Sequence, residues 1–136
     1  MHRRGLLKYV AGLMLGTPAL HSVANDTLPA AASPIGILDA RIAGFAHYQG
    51  EVCLPFMKAG DRLALRREPE NPKDRRAVEI YWRHKKIGYV PRIQNRALSR
   101  LMHQGYAVQA KVRTIDDGLL WEPLYFEVEL LDSNRS

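Results

Sequence analysis

Apolar and polar residues alternate with a period of two along most of this 136-residue chain, which is the period of strands that bury one face and wet the other. Leu38, Ala40, Ile42 and Gly44 alternate with Asp39, Arg41 and Ala43, and Leu63 and Leu65 with Ala64 and Arg66. Val78, Ile80 and Trp82 alternate with Glu79, Tyr81 and Arg83, which puts Trp82 on the core face; a tight turn and a further strand then run to Pro91. Tyr106, Val108, Ala110 and Val112 alternate with Ala107, Gln109, Lys111 and Arg113, Asp116-Asp117-Gly118 supplies a turn, and Leu124, Phe126, Val128 and Leu130 make a closing strand. The period changes once. Ile93, Ala97, Leu98, Leu101 and Met102 fall on one face of an amphipathic helix, with Pro91 near its start, Gly105 past its end, and Arg92, Arg96 and Arg100 on another face. Val52 to Met57 is a short apolar run broken by Pro55, either an edge segment or a helical turn. The pattern predicts a mainly β fold with one α-helix, a small partly open barrel of about six strands.

The loop between the second and third strands is a shaped object. Pro69 and Pro72 each fix φ and remove a donor, while Asn71 and Asp74 can bond nearby backbone amides. Read from residues alone, it is a hairpin connection with Asp74 tethering the turn.

The N-terminus has a different character. Residues 1–24 read as a signal peptide: His2 to Lys8 is basic, Tyr9 to Leu20 is apolar but shorter than the ~20 residues a spanning helix needs, and Ser22-Val23-Ala24 offers small residues for cleavage. Arg3 and Arg4 followed by Leu6, Leu7 and Lys8 resemble a twin-arginine signal; the alternative is a general secretory signal. The expectation is export to the periplasm or medium, with no membrane span after cleavage. Residues 25–37, Ala- and Pro-rich without periodicity, read as a flexible spacer, residues 38–131 as the folded domain, and 132–136 as a tail.

Charge sharpens the picture. The formal net charge is +6, and the leader holds three of the twenty basic residues and no acid. Arg62 to Arg113 carries fourteen Lys or Arg against four acids, whereas the chain from Thr114 onward is acidic. Such asymmetry suits a footprint for phosphates, or else a solvated basic face. Tyr48, Tyr81, Trp82, Tyr89 and Trp121 are the aromatic residues from which stacking partners for bases could come.

Several ordered motifs carry a family resemblance: Gly44-Phe45-x-x-Tyr48, Gly60-Asp61, Arg67-Glu68-Pro69-x-Asn71-Pro72-x-Asp74-x-x-Ala77-Val78, and Lys86-Ile87-Gly88-Tyr89-Val90-Pro91. Over about Asp39 to Leu130 the chain resembles a HIRAN domain. The resemblance implies a small OB-like or SH3-like barrel carrying a helix, found alone in bacteria and fused to helicase-like ATPases in eukaryotes; a helicase-like member grips the 3′ end of single-stranded DNA. It places Tyr89 and Arg92 where the family lines its DNA groove, and Asn71 and Asp74 at positions that contact the terminal sugar and hydroxyl. Two departures stand out. Ala46 and His47 replace a basic residue and an aromatic, although Tyr48 follows, and Lys73 replaces an aromatic in the loop. They imply weaker, less end-selective strand binding.

Catalysis has little to work with. His47, His84 and His103 lack the spacing of a metal site, the single Cys53 cannot build a thiolate cluster and reads as a buried apolar residue, and no phosphate-cradling glycine loop is present. A Cys53 nucleophile with His47 would want an orienting group that the sequence does not offer. No cofactor and no metal are expected, and the domain is expected to be a monomer. Two functions remain: a module that engages single-stranded DNA through His47, Tyr48, Asn71, Lys73, Asp74, Tyr89 and Arg92, or an exported module that uses the same groove for an envelope protein or an acidic polymer such as a glycan.

Overall fold

The computed structural model describes residues 33–116, 118 and 122–131. The expected leader, most of the expected spacer, Trp121 and the expected tail lie outside the described residues. Among the described residues, six strands form one antiparallel sheet: β1 (Ile35–Arg41), β2 (Arg62–Arg67), β3 (Val78–Trp82), β4 (Lys85–Tyr89), β5 (Val108–Ile115) and β6 (Leu124–Leu130), in the order β1-β6-β5-β2-β3-β4. The sheet curls until the segment just past β1 reaches β4. Just past β1, Ala43 exchanges both backbone hydrogen bonds with Tyr89 of β4, each 2.9 Å, and this one bridge makes the curled sheet a partly open barrel. The partly open barrel of about six strands expected from the alternation is the one found, in the OB-like form that the family resemblance implies.

Gly88 makes that seam possible. A Cβ there would lie 2.4 Å from Ile42 Cγ2 and 2.5 Å from the Ala43 carbonyl oxygen, so no side chain fits between β4 and the incoming chain. Inside the barrel the alternating apolar positions meet: Ile42, Phe45, Val78, Ile80, Ile87, Val112, Leu124, Phe126 and Val128 are essentially inaccessible to solvent. Trp82 is buried as expected, and its indole N–H donates to Asp61 Oδ2 at 3.1 Å, so the polar end of a large core residue is satisfied.

The run around Val52 resolves as helical: α1 (Gly50–Cys53) followed by a 3₁₀ turn, Leu54–Phe56, with Cys53 buried and Val52 and Phe56 exposed. The second helix departs from its expected face. A 3₁₀ turn, Arg92–Gln94, comes between Pro91 and α2 (Asn95–His103), so Ile93 is out of phase with the helix and is 91% exposed. The face that packs inward is Asn95, Leu98 and Ser99, with Leu101 and Met102 half-buried and Ala97 exposed. Tyr106, expected to begin the next strand, instead ends the helix. Its N–H reaches Leu101 O at 3.0 Å while the Gly105 N–H, at φ 89°, reaches Met102 O at 3.1 Å, a Schellman closure.

Candidate functional site

The loop from Glu68 to Ala77 is rigid for local reasons. Asn71 Oδ1 accepts from the Lys73 and Asp74 amides at 2.9 and 3.3 Å, and Asp74 Oδ1 accepts from the Arg76 amide at 2.9 Å. The Glu68 N–H to Ala77 O bond, 2.9 Å, closes its base. Asp74 therefore tethers the turn, as the residues alone suggested.

Its other oxygen faces the next element. Asp74 Oδ2 accepts from Asn95 Nδ2 at 2.8 Å and lies 3.7 Å from Arg92 Nε, while the Arg92 guanidinium also donates to the Lys73 carbonyl. Between this loop, β4 and the entry to α2 sits a shallow pocket of about 210 Å³, lined by Asn71, Lys73, Asp74, Tyr89, Arg92 and Asn95 over a floor of Ala43, Ala77 and Val90. Burial by itself pushes the Asp74 carboxyl up, but the Arg76 amide, the Asn95 amide and the charges of Arg92 and Arg76 outweigh it and hold the group below its usual range.

Tyr89 connects the pocket to a second network. Its hydroxyl donates to Glu68 Oε1 at 2.6 Å and accepts from Lys86 Nζ at 2.7 Å; Asn71 Nδ2 donates to the same Glu68 oxygen at 3.1 Å. Burial, then the bond to Glu68, push the Tyr89 phenol up to about 12, so it stays protonated. Lys86 pairs with the buried Glu79 at 3.1 Å, and its ammonium lies 4.4 and 4.2 Å from the ring centroids of Tyr48 and Tyr89. Those two rings meet edge to face, 5.7 Å apart, and Tyr48 remains 40% exposed. The pocket thus has an aromatic rim steadied by a lysine.

Five of the seven expected residues, Asn71, Lys73, Asp74, Tyr89 and Arg92, line this one pocket, and Tyr48 packs on its rim through Tyr89. His47 is placed differently. It is the exposed last residue of a 3₁₀ turn, Phe45–His47, beside Tyr48, and among the described residues no hydrogen bond joins its ring to the pocket. Sequence reading missed Asn95, Lys86, Glu68 and Glu79 as parts of the arrangement. Glu68 and Lys86 did carry a signal, since both stand within the family motifs, whereas Asn95 and Glu79 show their part only once the structure buries them.

The HIRAN domain model matches residues 35–130. This chain belongs to the HIRAN domain family. Its fold is similar to that of a protein from Lactobacillus plantarum, with 25% identity and TM-score 0.58 over 71% of this chain and 97% of that one. It is also similar to the crystal structure of the HIRAN domain of human HLTF, with 20% identity and TM-score 0.57 over 74% of this chain and 81% of that one. The NMR structure of the HLTF HIRAN domain aligns with TM-score 0.51 at 19% identity. No curated protein matches the chain. Within this HIRAN domain the described residues contain no cluster of three or more metal-ligating side chains and no helix long and apolar enough to cross a membrane.

Proposed function

We propose that this HIRAN domain binds single-stranded DNA in the pocket between the Glu68–Ala77 loop, β4 and the start of α2, with little preference for a 3′ end. The observation that carries the reading is the convergence of Asn71, Lys73, Asp74, Tyr89 and Arg92, drawn from three separate elements, on one small cleft with an exposed tyrosine at its rim. Lys73 and Arg92 supply charge for phosphate, Tyr48 a ring for a base, and Asn71 its second Nδ2–H, the one not given to Glu68, for sugar. Both Asp74 oxygens already accept internal hydrogen bonds, and Lys73 stands where the family resemblance calls for an aromatic, so a terminal hydroxyl gains little there. Affinity is micromolar or weaker and falls steeply with salt.

Fluorescence anisotropy with the mature domain, Asn25 onward, and a labelled oligonucleotide tests this directly. Absence of binding at low salt, or binding indifferent to salt, sinks it and promotes the second reading, an exported module that docks an envelope protein or acidic polymer in the same cleft. The basic, twin-arginine-like leader favours that second reading, and export to the periplasm or medium is part of the proposal in either case. Replacing Arg3 and Arg4 together by Lys should hold the precursor in the cytoplasm; unchanged export leaves only the general secretory route.

A further inference from the structure

We infer that a bound single strand does not stop at the pocket but continues over the outer face of β2 and β3, where Arg62, Arg66 and Arg83 form a second, sequence-independent track for its phosphates. This rests on the strand-binding reading above and extends it to surface that the pocket does not include.

The connection is built into the strand register. Tyr89 in the pocket pairs across the sheet with Glu79, and Glu79 with Arg66, so one cross-strand row leads from the cleft onto β2 in two strand spacings, about 10 Å. Beyond Arg66, the outward positions of β2 are Ala64 and Arg62, the latter about 13 Å further along the strand. A groove of about 650 Å³ follows this line, bounded by Arg62, Ala64, Arg66, Tyr81, Arg83 and His84. The small Ala64 keeps its floor open.

Its charge is left available. Arg62 Nη1 is oriented by a neutral partner, Gln109 Oε1, at 3.2 Å, and the Arg83 guanidinium lies 4.5 Å over the Trp82 ring; among the described residues neither forms an ion pair. Arg66 pairs with Glu79 at 3.0 Å, a carboxylate shared with Lys86, and Glu68 stands close by, so the row itself is nearly neutral and the available charge lies with Arg62 and Arg83. Cations aligned by hydrogen bonding and stacking, rather than neutralised, suit a flexible polyanion passing across them.

The test compares a 5′-fluorescein thymidine trinucleotide with the decanucleotide in anisotropy titrations at 50 and 200 mM salt. The decanucleotide should bind more tightly and with a steeper salt slope. Arg62→Gln with Arg83→Asn, the asparagine chosen because it tolerates the positive φ of that position, should make the decanucleotide slope shallower by about 1.4, at ~0.7 per phosphate contact, which is about sevenfold between the two salts. Trinucleotide binding and the melting temperature should not fall, and Arg62→Lys with Arg83→Lys should restore the slope. If the wild type binds both oligonucleotides but the variant leaves the decanucleotide slope unchanged, the track does not exist and the pocket reading stands. If decanucleotide binding depends on Arg62 and Arg83 but survives Lys73→Ala with Arg92→Ala, the track stands and the pocket reading falls. Failure of the wild type to bind the decanucleotide at 50 mM salt removes both.

Discussion

Asn95 Nδ2 donates to Asp74 Oδ2 at 2.8 Å across 21 residues of chain, joining the first turn of α2 to the loop that shapes the cleft. Asn95 is 2% exposed, so the bond is made where water competes poorly. Asp74→Ala should cost about 1–3 kcal/mol in urea denaturation and weaken strands ending in a 3′-hydroxyl and in a 3′-phosphate alike. A selective loss for the free hydroxyl would show that Asp74 receives the terminus as well as holding the turn.

The aromatic rim separates stacking from scaffolding. Tyr48→Ala removes a partly exposed ring and should reduce single-strand affinity by about 1–3 kcal/mol, with a smaller loss of stability, about 0.5–1.5 kcal/mol, from its contact with Tyr89. Tyr89→Phe keeps its ring but deletes the hydroxyl between Glu68 and Lys86, so it should cost roughly 1 kcal/mol of stability and little affinity. Lys73→Tyr adds a stacking surface and should sharpen discrimination between 3′-hydroxyl and 3′-phosphate ends. The two variants at the rim are read by chemical denaturation and anisotropy together, and Lys73→Tyr by anisotropy alone.

Closure of the barrel depends on one missing side chain. Gly88→Ala places a methyl against Ile42 and the Ala43 carbonyl, and should cost about 1–3 kcal/mol or more while loosening the Ala43–Tyr89 bridge. Amide hydrogen exchange at Ala43 and Tyr89 should accelerate more than exchange in β5 and β6.

The β3–β4 hairpin turns on Arg83 and His84, both at positive φ, 47° and 68°, where Asn and Gly are the comfortable residues. Arg83→Asn with His84→Gly should raise stability by about 1 kcal/mol, visible as a higher melting temperature. A fall would mean that stacking of Arg83 over Trp82 outweighs the backbone strain.

Stability should fall at both ends of the pH scale for different groups. For Asp61, Glu68 and Asp74, burial pushes each carboxyl up, but hydrogen bonds and nearby cations outweigh it and leave each lowered. A depressed folded pKa favours the native state above the unfolded value near 4, and that contribution disappears as pH falls through the folded values. Tyr89 is raised from 10.0 to about 12, so its contribution is complete below about pH 10 and is lost as pH rises toward 12. Melting temperatures measured across pH should show an acid limb softened by Glu68→Gln and an alkaline limb softened by Tyr89→Phe.

Hydrophobic periodicity alone determined the class of this fold, because which face of a strand is apolar is written residue by residue. The rigid loop was equally legible: prolines at 69 and 72, and side chains at 71 and 74 that bond amides two or three residues away, act over distances the chain itself sets. Tertiary structure decided the rest. Whether Ile93 faced the core depended on a 3₁₀ turn inserted ahead of α2, which a 3.6-residue pattern does not register. Which of the many cations stay available depended on strand register: Arg66 and Lys86 lie 20 residues apart in sequence yet share Glu79, while Arg62 and Arg83 rest on neutral partners. The family motifs named five residues of the cleft in advance, but their periodicity could not bring them together: that takes the curling of the sheet, which sets Tyr89 against Ala43 at a glycine small enough to permit it.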